Sequence, residues 1–336
     1  MLKNSGKNHN LCLFSFDERN KRITWEITEK CNFKCLHCCV SADISKDNSI
    51  SLKETEKIID QFYKNKIKKL YISGGEPFIS DNLFTILKRA SLYKIEINLA
   101  TNGSLITEKI VKKLSNFKLN SILVSLDGQN KTIHDEFRGV PYAFEKAINA
   151  IKILKSYNFK IKIGTVIWKK NINKLEDIIK LAISLNADRI YFSWLVLTGR
   201  AEFNKRIMPP EKLFNKTKII LNLLKYKYKE KIDVSFKRFE FEKNKSNYSD
   251  CPGALYLFHM DSKGYIYPCS WFAKVNPYYR SDFSIKEKPL SDLLRSKRLI
   301  EFRKIIVKRR KKYGISCPAM CLMKNGTINS IDPLKQ

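Results

Sequence analysis

The sequence predicts an α/β protein: a parallel β-sheet covered by helices, followed by a smaller cysteine-bearing domain. Three observations carry that expectation. Short, β-branched apolar runs alternate with longer amphipathic runs over the first part of the chain, the rhythm of repeated βαβ units. The composition, 43% hydrophobic and 29% charged, is that of a folded globular chain and excludes disorder as its main state. Nine cysteines fall largely into two separated groups, and 336 residues suffice for about two domains.

Taken in order, the expected strands are Ile23–Thr28, Lys69–Ser73, Ile95–Ala100, Ser121–Leu126, Lys160–Ile167 and Arg189–Trp194. The helical patterns between them are Ser51–Lys64, Asp81–Tyr93, Thr107–Phe117, Ala143–Tyr157 and Lys174–Leu185. The strands are apolar on both faces, as a helix-covered parallel sheet requires. Periodicity leaves open whether the sheet closes. Ahead of them, Leu11–Phe16 and Arg22–Thr28 flank the polar turn Asp17–Lys21, which predicts a small hairpin. Pro209 and Pro210 are expected to open a further helix. The polar stretch Phe239–Asp250 follows, and a basic helical segment, Leu290–Lys312, is inserted between the last cysteine pairs. The expected division is an extension at 1–22, a main domain at 23–205 and a C-terminal domain at 206–336.

The charge narrows the function classes. Sixty-four basic residues against 33 acidic ones give a net charge of +31. Such a balance suits a polyanionic partner such as RNA, or an acidic peptide. Lys far outnumbers Arg, however, and is spread along the whole chain without forming a block. That is the mark of an AT-rich genome, and no nucleic-acid partner is expected. No apolar run approaches the ~18 residues of a membrane span. The N-terminus MLKNSGKNHN lacks the apolar core of an export signal. A cytoplasmic protein without membrane contact is the expectation, and its cysteines are expected to be metal ligands or reactive thiols instead of disulfides.

Cys31-x3-Cys35-x2-Cys38 falls directly after the first strand, in a loop at the carboxyl end of a parallel strand, where such folds carry chemistry. Three thiolates suit a soft metal or an iron–sulfur cluster. A 4Fe–4S cluster held by three ligands keeps one iron open, the mark of a reactive site. Zinc is the alternative, with His37 and Cys39 as further donors.

The motif CNFKCLHC resembles the cluster motif of the radical S-adenosylmethionine (radical SAM) superfamily. Further motifs follow in the same order: Gly74-Gly75-Glu76-Pro77 after the second strand, Thr101-Asn102-Gly103 after the third and Ser125-Leu126-Asp127-Gly128 after the fourth. Arg138-Gly139 precedes the next helix, and Gly199-Arg200-Ala201 follows the sixth strand. The resemblance covers about 23–201 and implies a partial (β/α)6 barrel. It also implies SAM as cofactor, its methionine part chelating the open iron. Gly74 and Gly75 would let the backbone approach that ligand, and Glu76 would accept from the methionyl ammonium. Asn102, Ser125 and Asp127 would meet ribose hydroxyls or the methionyl carboxylate; ordinary loop capping is their alternative reading. His37 would pack beside the adenine. The chemistry implied is reductive cleavage of SAM to a 5′-deoxyadenosyl radical that takes a hydrogen atom from the substrate.

The second group, Cys251, Cys269, Cys317 and Cys321, with Gly264 in a turn between two short strands, resembles the auxiliary-cluster domains called SPASM and Twitch. It is closer to the shorter Twitch type, since only four cysteines are present. Four thiolates saturate a second 4Fe–4S cluster; a four-cysteine zinc site is the alternative. Cys12 and Cys39 remain, as buried apolar residues or, for Cys39, as a hydrogen-atom donor. Peptide modification by epimerisation, thioether or carbon–carbon crosslinking is the first functional expectation. The partners are then a ribosomally made peptide and a one-electron reductant such as flavodoxin or ferredoxin. The second is a small-molecule dehydrogenase or rearrangement enzyme; the third, a non-catalytic iron–sulfur redox or RNA-binding protein.

Overall fold

In the computed structural model, residues 21–46, 50–236, 251–313 and 317–330 are described. One nine-stranded sheet organises them. Its strands are β1 (Arg22–Glu26), β2 (Lys69–Ser73), β3 (Glu96–Thr101), β4 (Leu119–Ser125), β5 (Ile161–Ile167), β6 (Arg189–Trp194), β7 (Asp233–Phe236), β8 (Leu257–Met260) and β9 (Ile266–Tyr267). The spatial order is β7-β6-β5-β4-β3-β2-β1-β8-β9. Every neighbouring pair is parallel except β8 with β9. The sheet is not closed, as a partial barrel requires, and β7 and β9 form its edges.

The helices are α1 (Leu52–Lys64), α2 (Asn82–Leu92), α3 (Glu108–Leu114), α4 (Lys131–Arg138), α5 (Ala143–Ser156), α6 (Leu175–Ser184) and α7 (Leu213–Lys227). The C-terminal part adds α8 (Phe272–Val275), α9 (Leu290–Leu293), α10 (Lys297–Tyr313) and α11 (Pro318–Asn325). Local chemistry sets the ends. Ser51 and Glu54 form a reciprocal capping box on α1, and Thr107 and Asn130 cap α3 and α4. Among the described residues no helix is long and apolar enough to cross a membrane.

The strands alternate instead of being apolar on both faces. In β5, Ile161, Ile163, Thr165 and Ile167 are buried while Lys162, Gly164 and Val166 are half-exposed. β1, β2 and β6 show the same period of two. One face is sealed by helices and the other lines the open interior of the curved sheet. Trp25 stands on the sealed face, fully buried, with its ring edge-on to Phe62 of α1 at 5.8 Å.

Four expectations change. α4 was not anticipated, although Asn130 caps it and Gly139 ends it in the left-handed region at φ 67°. α7 begins three residues after Pro210, because the prolines lead into a turn and not into the helix itself. The basic segment breaks at Ser296 into α9 and α10. The sheet continues past residue 205: β7 extends it at β6, and β8 pairs with the other edge of β1. The hairpin β8–β9, turned at Lys263-Gly264, is therefore an extension of the main sheet. Leu11–Phe16, with Cys12, and the whole of Phe239–Asp250 lie outside the described residues.

Replacing Trp25 with Ala should cost ~3–5 kcal/mol of unfolding free energy through lost burial and the cavity left behind. Equilibrium urea unfolding measures it; a loss under about 1 kcal/mol would contradict the packing described.

Candidate active site

The loop that carries Cys31, Cys35 and Cys38 is held by backbone contacts from three distant places. At the end of β2, Gly75 N–H donates to the Thr28 carbonyl (2.7 Å) and Glu76 N–H to the Lys30 carbonyl (2.8 Å). A Cβ on Gly75 would overlap the Lys30 carbonyl, so this glycine is needed by the loop's own backbone. The position its side chain would take is filled by the Lys30 carbonyl. From the end of α4, the Phe137 carbonyl accepts from Leu36 N–H (3.0 Å). After β6, Arg200 N–H donates to the Cys38 carbonyl (2.8 Å), and its guanidinium donates to the carbonyls of Cys35 (3.0 Å) and Ala42 (2.7 Å). A Cβ on Gly199 would lie 2.7 Å from the carbonyl oxygens of Cys38 and Cys39, and its φ is 57°.

The three thiols are brought into mutual electrostatic contact. Each sulfur also receives an N–H. Phe33 N–H donates to Cys31, the Arg138 guanidinium lies 3.9 Å from the Cys35 Sγ, and Ala42 N–H donates to the Cys38 Sγ at 3.3 Å. Burial pushes the Cys31 thiol up to about 11 and raises Cys35 as well. Such thiols bind metal only by giving up protons. Three sulfurs, two buried and that of Cys38 half-buried, each with a donor and with a guanidinium beside them, form the surroundings a thiolate-held iron–sulfur cluster needs. Among the described residues no three His, Cys, Asp or Glu side chains meet closely enough to hold one ion.

Glu76 is fully buried at the centre of the strand ends. Its carboxylate accepts from the Thr101 hydroxyl (2.8 Å), Asn102 N–H (2.7 Å) and Phe78 N–H (3.3 Å), the last capping the turn that Pro77 opens. Burial outweighs these donors and pushes the carboxyl up to about 7. The Asn102 amide spans Asn32 (3.0 Å) and Ser104 N–H (2.8 Å), the capping arrangement. Ser125 ends β4 half-exposed, and its hydroxyl has no hydrogen-bond partner among the described residues. Asp127 differs from the expectation of a ribose or carboxylate contact. It is fully buried, and its oxygens are taken by Arg138 (2.7 Å to Nε) and by Val166 N–H (2.7 Å). It positions Arg138. His37 stacks on Phe137 at 4.0 Å, and Phe137 stacks on Trp168 at 4.5 Å. The Nδ1 of His37 is buried without a hydrogen-bond partner.

In the C-terminal part, Cys251 stands in electrostatic contact with Cys269 and Cys317. Cys321 accepts at 3.4 Å from the buried guanidinium of Arg309, and its N–H bonds the Cys317 carbonyl (3.1 Å). This group repeats the sulfur-and-guanidinium pattern of the first. Cys39 turns to a different neighbourhood. It sits in electrostatic contact with Lys274 and Glu26, and burial pushes its thiol up to about 12. Glu26 and Lys274 form a nearly buried ion pair at 2.7 Å, with His259 Nε2 at 3.6 Å from the same carboxylate. Burial would raise the Glu26 carboxyl, but His259 and Lys274 override it and hold it down to about 2.

Arg138 was visible in a motif but had no assigned role; its burial beside Asp127 and Cys35 supplies one. Glu26 and Lys274 are 248 residues apart and left no local signal. Replacing Gly75 with Ala should displace the loop from Thr28 to Cys31. The variant should keep its circular dichroism yet bind about four fewer irons after anaerobic reconstitution. Full iron binding would show that this contact does not position the cysteines.

The radical SAM superfamily model matches residues 25–182. An AdoMet-dependent heme synthase of Methanosarcina barkeri is 29% identical over 269 residues, 74% of this chain and 76% of that one. The antilisterial bacteriocin subtilosin biosynthesis protein AlbA of Bacillus subtilis is 28% identical over 178 residues, 53% of this chain and 40% of that one. Other curated relatives are matched over about half their length. Among solved structures, Streptococcus suis SuiB, determined bound to S-adenosylmethionine and bound to precursor peptide SuiA, aligns with TM-score 0.70 at 20% identity. That alignment covers 84% of this chain and 67% or 66% of SuiB, and shares its fold. A sheet open at both edges, a three-cysteine loop after its first strand and a Gly-Gly-Glu turn whose carboxylate is buried beside that loop thus meet the family match: residues 25–182 form a radical SAM superfamily domain.

Proposed function

We propose that the protein binds a 4Fe–4S cluster through Cys31, Cys35 and Cys38, holds SAM against it, and modifies a peptide. The observation that carries this reading is the set of three cysteine sulfurs, each with an N–H donor, next to the buried carboxylate of Glu76. When bound, the cluster and SAM supply one-electron cleavage to a hydrogen-abstracting 5′-deoxyadenosyl radical. The chain's own residues do the rest. Glu76 accepts from the methionyl ammonium, Ser125 offers an uncommitted hydroxyl, and Asn102 fixes the loop beside them. Arg138, fixed by Asp127, supplies a buried positive charge at the cluster cysteines. His37, stacked on Phe137, gives the adenine a flat apolar wall.

Cys251, Cys269, Cys317 and Cys321 are assigned to a second 4Fe–4S cluster, which four thiolates saturate. Flavodoxin or ferredoxin would supply the electron, in a reducing compartment. Peptide modification is supported by the names of two similar proteins, a bacteriocin biosynthesis protein and a precursor-peptide-bound enzyme. A second reading, a small carboxylate-bearing substrate such as a tetrapyrrole, is favoured by the match to a heme synthase, which runs over 74% of the chain.

Anaerobic reconstitution should give about eight irons per chain, and Cys31, Cys35 and Cys38 together replaced by Ala should leave about four. That triple variant should form no 5′-deoxyadenosine from SAM and dithionite. Iron unchanged by the substitution would overturn the ligand assignment. Mass spectrometry of candidate peptides then separates a two-dalton loss from deuterium uptake at constant mass.

Glu76→Gln should weaken SAM binding by about tenfold to a hundredfold, the value of a charge-assisted bond of ~1.5–3 kcal/mol. The sign with pH follows from a free carboxyl near 7. The parent should bind SAM fully above that pH and progressively worse as pH falls through it, since the proton must leave before the carboxylate can accept. The Gln variant should lack this dependence in equilibrium titrations between pH 6 and 8.5, values chosen to bracket about 7.

A further inference from the structure

A cavity of about 430 Å³ opens between the carboxyl end of β6 and the C-terminal part, within the ~300–1,000 Å³ of small-ligand sites. Its walls are apolar: Leu195, Met208, Phe214, Met320 and Met323 among them. Thioethers suit an irregular apolar guest, because their unbranched chains adapt to its shape. Three polar side chains interrupt the walls, Thr198, Glu202 and Lys274, and two of them can donate. The Thr198 hydroxyl lines the cavity, on a residue 9% exposed, and has no hydrogen-bond partner among the described residues. The Lys274 ammonium lines it too and gives donors to both Glu26 oxygens, each at 2.7 Å. An ammonium has three donors, so one stays unspent.

The position joins the two sulfur groups. Thr198 immediately precedes Gly199-Arg200, which bonds the Cys38 carbonyl. Met320 immediately precedes Cys321, and α8, which carries Lys274, starts three residues after Cys269. We propose that this cavity seats an apolar residue of the peptide substrate and that Lys274 and Thr198 donate to its main-chain carbonyl. The inference rests on the peptide reading above and deepens it to a residue class. Glu26 already neutralises the ammonium. A further carboxylate brought beside Glu26, into a cavity that Glu202 also lines, would meet like-charge repulsion, whereas a neutral carbonyl takes the spare donors without it.

The test uses the reconstituted full-length holoenzyme with SAM and reads binding by saturation-transfer NMR, with no turnover needed. The probes are N-acetyl-leucine methylamide, N-acetyl-glycine methylamide and N-acetyl-leucine with its free carboxylate. The leucine amide should bind at least about tenfold tighter than the glycine amide, the worth of burying one such side chain. The carboxylate should bind more weakly than the leucine amide. Met323→Trp, which fills the cavity, and Thr198→Val, nearly isosteric, should each weaken the leucine amide at least about threefold. Equal binding of leucine and glycine amides, tighter binding of the carboxylate, or affinity unmoved in Thr198→Val would overturn the proposal. Cleavage of SAM by dithionite-reduced parent is measured separately; its absence overturns the radical reading and leaves the cavity result standing on its own.

Discussion

The close crossing of two backbones at Lys30 and Gly75 sets the site. Nothing larger than a glycine fits there, and the two hydrogen bonds beside it fasten the start of the cysteine loop to the end of β2. The same turn of chain puts Glu76 into the interior, where three donors fix its carboxylate. Arg200 then takes three carbonyls from the loop's far side. Loop backbone is costly to bury unless its polar groups are paired. Here the pairing comes from neighbouring strand ends, which makes the cysteine positions a property of the sheet and not of the loop alone.

The parallel sheet, its six first strands and most helices were readable because hydrophobic period and caps are local signals. The cysteine loop and the Gly-Gly-Glu turn were readable as motifs, but the reason for the glycines was not. A motif names a residue; only geometry shows that the Lys30 carbonyl fills the place a side chain would take. Asp127 illustrates the same limit. Its place at a strand end suggested a ligand contact, while its partners are Arg138 and a backbone N–H from β5. α4 was an avoidable omission, since Asn130 and Gly139 mark both its ends.

Long-range pairings left no trace in sequence. The strand β8 reads as half of a local hairpin, and it is that; nothing local announces that its other edge belongs to β1. The Glu26–Lys274 pair is of the same kind. It ties the last residue of β1 to the helix following Cys269. Buried ion pairs of this sort cost desolvation on formation and are strongly destabilising when halved. Their contribution here is to relative position: the Glu26–Lys274 contact links the end of β1, which leads into the first cysteine group, to the helix that lines the cavity.

That β1 is flanked by β2 and β8 has a consequence for biosynthesis. The strand β1 leaves the ribosome well before its second neighbour, Leu257–Met260, which is made more than two thirds of this 336-residue sequence later. Until then one edge of β1, adjoining the cysteine loop, has unpaired N–H and C=O groups open to other chains. Closing so long a loop is slow, and exposed edges in waiting intermediates favour aggregation. The thiols of Cys31, Cys35 and Cys38 are exposed to oxidants over the same interval. The growing chain would gain from iron delivery, or a chaperone on that edge, before β8 arrives.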